Sequence, residues 1–199
     1  MQESGYDKEV SKTVDGVTID YGIIFGNEKI VFIKAGSDGD ILGFGGKYPQ
    51  MAHRVHDRLG ATVICASNPS DLWSGQLAAD KGAIAAVAKK CNHTDYTLAL
   101  FGSSDGGHHI IKLAAKMPQA KRVVGVNASC VDFDELFKIL QKIPNVEKTL
   151  VYGDRDECYN CATQLAMMDI PHLEIITVPG ADHEFNGMMD EFISFINLI

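Results

Sequence analysis

Basic residues are scarce in this chain: 18 Lys and Arg stand against 26 Asp and Glu, a net charge of -8 over 199 residues. Phosphate backbones are held by clustered lysine and arginine, so the deficit argues against a nucleic-acid partner. Long apolar runs are missing too. None approaches the roughly 20 residues that span a bilayer, and no membrane partner is expected. The opening MQESGYDKEV is polar and lacks the charged-then-apolar pattern of a secretory leader, so the expected location is cytoplasmic. Cysteine is sparse and odd in number. Cys65, Cys91, Cys130, Cys158 and Cys161 are scattered along the chain, unlike the framework of a secreted disulfide protein. Cys65 and Cys130 fall in or beside apolar strands, where a free thiol acts as a small hydrophobe.

What is present is an ordinary globular composition, 46% hydrophobic and 22% charged, in a chain of a length that suits one domain, 1–199. Strand and helix patterns alternate with little interruption. Strands are expected at 17–24, 29–34, 61–66, 96–101, 122–126, 149–152 and 173–178, where short β-branched runs end in Gly, Asn or Pro. Helices are expected at 48–59, 76–90, 107–117, 133–143, 158–168 and 188–199. In the first of these Met51, Val55 and Leu59 form a stripe closed by Gly60. This alternation implies an α/β fold, a mostly parallel twisted sheet with helices on both faces.

Sheets of this kind place their functional groups in the loops at the carboxyl ends of the strands. Those loops carry Gly36-Ser37-Asp38-Gly39, Ser67-Asn68-Pro69, Gly102-Ser103-Ser104-Asp105-Gly106, Ser129, Gly153-Asp154-Arg155-Asp156 and Gly180-Ala181-Asp182-His183. A serine, an acid and a histidine follow one another in that order. A hydroxyl becomes a nucleophile when a base takes its proton, and the base must be oriented by a third group. Gly102-x-Ser104-x-Gly106 suits a sharp strand-to-helix turn, with glycines where a Cβ would meet neighbouring backbone. Such turns are common, and the position between strand and helix is what gives this one weight. The turn directs the Asp105 N–H at a developing oxyanion, which gives Asp105 a role through its backbone rather than its carboxylate. Asp156 is the expected orienting acid, with Asp154 as competitor, and His183 is the expected base.

GSSDG at the turn, GDRD at the acid and GADHEF at the histidine resemble the α/β-hydrolase fold family over nearly the whole chain. The resemblance implies a Ser104–Asp156–His183 triad, with no metal or organic cofactor. The GADHEF ending is similar to small esterase and peptidase-like branches, which often act on acyl esters or thioesters. By the same resemblance the oxyanion donors are the N–H groups of Asp105 and Ser37. Two departures stand out. Many relatives have His-Gly after the strand VFIK, where this chain has Ala35-Gly36, and Ser129 to Lys148 leaves room for one short helix rather than a full cap. The expected activity is hydrolysis of an acyl ester or thioester of a small substrate. Its alternatives are acyl transfer on the same scaffold, or binding without catalysis.

Weaker signals have two readings each. Gly43-x-Gly45 fails as a dinucleotide fingerprint because Tyr48 occupies the third glycine position. Cys158 and Cys161 open a helix as a redox pair does, but two cysteines on one turn are commonplace. His108 and His109 either touch substrate or stand one exposed and the other packed at the helix start, the second being the expectation. Leu136, Phe137 and Leu140 either rim the pocket or pack their helix on the sheet; Asp71 and Trp73 are placed to border the pocket, with Trp73 equally suited to plug a loop.

Overall fold

The computed structural model describes residues 5–69 and 75–199, so Asp71 and Trp73 lie outside the described residues. The strands are β1 (Lys8–Val14), β2 (Val17–Ile24), β3 (Asn27–Lys34), β4 (Ala61–Ala66), β5 (Thr97–Ser103), β6 (Ala120–Val126), β7 (Glu147–Gly153) and β8 (Leu173–Val178). The α-helices are α1 (Lys47–Leu59), α2 (Gln76–Lys90), α3 (Asp105–Ala114), α4 (Phe133–Gln141), α5 (Tyr159–Ala166) and α6 (Met189–Ser194). One sheet runs in the order β1-β2-β4-β3-β5-β6-β7-β8. Strand β2 is antiparallel to both its neighbours, and from β4 to β8 all pairs are parallel. No helix among the described residues is long and apolar enough to cross a membrane.

The expected α/β architecture is present, with two differences. Strand β1 was not anticipated, because all but its last residue are exposed and it carries no burial pattern. Its signal was the turn. Asp15 and Gly16 have φ of 52° and 83°, as in a two-residue hairpin loop, and Val14 pairs with Val17. The expected closing helix 188–199 is α6 followed by a short 3-10 turn, Phe195–Leu198.

Alternation along the central strands feeds two cores. Ile30 and Phe32 of β3 join residues of α2, α3, α4 and α5 on one face, while Val31 and Ile33 join α1 and α6 on the other. Leu136 and Leu140 are fully buried, so α4 packs on the sheet through them. Because β4 and β5 flank β3 on opposite sides, the chain leaving β3 and the chain leaving β5 turn apart and open a crevice at the strand ends.

A buried polar network lies beneath that crevice. Lys34 and Asp80 are both fully buried, with Nζ and Oδ2 2.9 Å apart. His109 Nε2 is also 2.9 Å from Asp80 Oδ2. Tyr21 donates its hydroxyl to Asp80 Oδ1 at 2.8 Å, and Lys34 donates to the Ser67 carbonyl at 2.7 Å. Burial raises the Asp80 pKa, but Lys34 and His109 outweigh it and hold the carboxyl below its ordinary value. The network joins β2, β3, α2 and α3. Removing the Asp80 carboxylate leaves the Lys34 ammonium buried without its partner. Asp80→Ala is expected to lower stability by about 3–5 kcal/mol in urea unfolding, and a loss under about 1 kcal/mol would show that Lys34 finds other compensation.

Candidate active site

Ser104 stands between β5 and α3 with φ 52° and ψ -128°, a conformation that non-glycine residues rarely adopt. Neighbouring contacts hold it there. Its N–H donates to the Val126 carbonyl at 2.9 Å, and its own carbonyl accepts from Ser129 N–H at 3.1 Å. The glycines make the turn possible by close approach. A Cβ on Gly102 would lie 2.4 Å from the Gly106 oxygen, and one on Gly106 would lie 2.1 Å from the Ala35 oxygen.

The expected serine, histidine and acid are brought together. With the imidazole proton on Nδ1, His183 donates to Asp156 Oδ2 at 2.5 Å, and its Nε2 accepts from Ser104 Oγ at 2.9 Å. Asp156 is buried, and its other oxygen accepts the Cys158 N–H at 2.5 Å. The hydrogen bond that His183 donates to Asp156 raises the His183 pKa above its ordinary value, although partial burial works the other way. Asp154, the competing acid, faces elsewhere and accepts the Gly180 N–H at 2.7 Å. Ser103 is also turned away, sharing a hydrogen bond of 3.1 Å with Tyr48 Oη.

Ser37 and Asp105, the expected oxyanion donors, belong to two loops joined by their side chains. Ser37 Oγ and Ser129 Oγ both donate to the Asp105 carboxylate. Burial raises the Asp105 pKa, but the two hydroxyls outweigh it and lower the carboxyl below its ordinary value. This corrects the view that Asp105 acts through its backbone alone, since its carboxylate bridges the turns after β3 and β6. Asp105 is also the first residue of α3, where an N–H has no intrahelical acceptor.

Ser104 and His183 open on a pocket of about 310 Å³, walled by Gly36, Ser37, Lys47, Tyr48 and Phe192. A second cleft of about 770 Å³ lies on the far side of Ser37, bordered by Asp105, His108, Ser129 and Val131. Neither His108 nor His109 is freely exposed, contrary to expectation, because α3 is wedged between α2 and α4. His108 pairs with the Ser129 carbonyl at 3.1 Å, and His109 faces Asp80. Burial, with help from Lys112, lowers the His108 pKa. All five cysteines are free. Among the described residues, no group of three or more His, Cys, Asp or Glu side chains is placed to hold a metal ion.

Solved structures share this arrangement of strands and helices across nearly the whole chain. They include an alpha-beta serine hydrolase homologue from Coxiella burnetii, with a TM-score of 0.73 and 16% identity over 98% of each chain. Est1E from Butyrivibrio proteoclasticus follows at 0.71 and 14% over 96% of each chain. The esterase domain of a Rhodothermus marinus protein matches at 0.66 and 14%, over 96% of this chain and 95% of that one. This chain has the α/β-hydrolase fold. By sequence, no protein-family model and no curated protein matches it.

Within the α/β-hydrolase fold, sequence reasoning passed over Asn127. It follows β6 with φ 45°, in the left-handed region that asparagine tolerates. Its Oδ1 accepts from Gly153 N–H at 2.9 Å, and its Nδ2 donates to the carbonyls of Asp182 and His183 at 3.1 and 2.9 Å. One amide thus joins the turn carrying Asp156 to the turn carrying His183. The available signal was an amide directly after an apolar strand. Asn127→Ala is expected to cost about 1–3 kcal/mol of stability in thermal or urea unfolding, since it leaves buried backbone groups unpaired. It should also weaken the downfield proton signal of the His183–Asp156 hydrogen bond. An unchanged signal would show that the two turns hold their positions without Asn127.

Proposed function

We propose that the protein is a serine hydrolase that cleaves an acyl ester or thioester of a small substrate through an acyl-enzyme intermediate. The observation that carries this reading is the hydrogen-bonded chain from Ser104 Oγ through His183 to the buried Asp156. Ser104 Oγ attacks the carbonyl carbon as His183 Nε2 takes its proton, and Asp156 holds the imidazole and stabilises the imidazolium. The N–H groups of Asp105 and Ser37 receive the oxyanion. The tetrahedral species collapses as His183 returns the proton to the departing alcohol or thiol, and water repeats the sequence on the acyl-enzyme. The shared fold with proteins described as a serine hydrolase homologue and as an esterase domain supports the reaction class.

A fluorophosphonate probe should label the protein at Ser104 and leave Ser104→Ala unlabelled. Turnover of short acyl esters should fall by about five to six orders of magnitude in that variant. Absence of both labelling and turnover across short and long esters would sink the enzyme reading in favour of a binding protein. The pH profile gives a second check. His183 acts as base only when neutral, and Asp156 raises its pKa, so kcat/KM should rise through a midpoint above about 6.5. Asp156→Asn should move that midpoint down and cut kcat by about 10⁴-fold. A midpoint at or below 6.5 in the unaltered protein would mean that Asp156 does not govern His183 in solution.

A further inference from the structure

One wall of the catalytic pocket carries a charge that ester cleavage does not use. Lys47, the first residue of α1, is 8% exposed and lines the pocket with Ser104, His183 and Phe192. Its ammonium lies 4.3 Å from the centre of the Phe192 ring and 5.3 Å from that of Tyr48. Among the described residues, no carboxylate comes within ion-pair distance of it. Other lysines around the site are answered: Lys34 by Asp80 at 2.9 Å and Lys112 by Glu135 at 3.1 Å.

Aromatic faces offset only part of the cost of taking an ammonium group out of water. Burial pushes the Lys47 pKa down, and the nearby charge of Glu184 recovers some of it. Tyr48 beside it is already engaged, since its Oη bonds Ser103 and accepts the Gly36 N–H, while Glu184 lines the same pocket as an exposed side chain beyond ion-pair distance. Lys47 is therefore a buried donor without an ion-pair partner, lining the same pocket as the serine. We propose that Lys47 receives an anionic group of the substrate, so that the preferred substrates are small esters bearing a carboxylate, such as half esters of dicarboxylic acids. A pocket of about 310 Å³ is at the small end of ligand sites and suits such a molecule. Phe44, 82% exposed and also lining the pocket, offers the connecting chain an apolar surface.

The inference rests on the hydrolase reading only in placing ester and carboxylate in one pocket, and binding separates the two. The probes are the mono-4-nitrophenyl ester of adipic acid and its neutral methyl-capped twin. Calorimetry on Ser104→Ala, which cannot turn them over, should show the anionic ester bound about 10-fold tighter than the twin. That preference should disappear in Ser104→Ala/Lys47→Met. In protein with Ser104 intact, the ratio of kcat/KM for the two esters should fall about 10-fold on Lys47→Met. If Lys47 only staples α1 to α6, Lys47→Met will shift the melting temperature and leave that ratio unchanged. Equal binding of the twins to Ser104→Ala would overturn the inference, and needs no Lys47 variant to fold. A protein that binds the anion preferentially but resists fluorophosphonate would retain this site and lose the hydrolase reading.

Discussion

The contact between the first turn of α3 and the end of β3 constrains everything at the crevice. Gly106 lies so close to the carbonyl oxygens of Lys34 and Ala35 that any Cβ would collide with them. Through that approach the turn after β3 and the turn after β5 become neighbours, and Ser37 meets Asp105. Ser104 is held at a positive φ between them. Strain of about 1–3 kcal/mol at such a residue persists only where surrounding structure enforces it. Here the enforcement comes from backbone hydrogen bonds to Val126 and Ser129.

The other half of the site depends on a different kind of restraint. Asp156 and His183 belong to separate loops, each free in principle to move independently of the sheet. Asn127 removes that freedom by bonding backbone groups of both. A buried amide with three partners is well suited to this, because misplacing either loop leaves its polar atoms unpaired. The Asp105 carboxylate does the same for the turns after β3 and β6. Two side chains without a part in the proposed chemistry thus hold four strand ends in register.

Charge is distributed unevenly between surface and pocket. The chain is acidic as a whole, yet the pocket holds the buried cation Lys47, with Glu184 exposed at the same pocket. Over more than about 8 Å, salt screens the acidic surface at physiological ionic strength, whereas a group inside the pocket meets the lysine with little screening. Net charge therefore describes solubility and distant partners, and says little about what the pocket selects.

The α/β class, the order of elements from β2 onward and the three residue types at the strand ends were all legible in the sequence. Hydrophobic period and turn residues are local properties, and they report themselves. Strand β1 was not legible because it buries almost nothing, although its Asp15-Gly16 turn was there to be read. The choice of Ser104 over Ser103 followed from the glycine spacing together with the acid and histidine at later strand ends. What faces His183, by contrast, is a matter of residues 79 positions apart. Loop position favoured Asp156 with Asp154 as competitor, and packing turned the first toward the imidazole and the second toward Gly180. The partners of Asn127, of the Asp105 carboxylate and of Lys47 were invisible for the same reason. Local pattern determines which elements form and what their ends carry, but the partners of a polar side chain are decided only when distant strand ends are packed side by side.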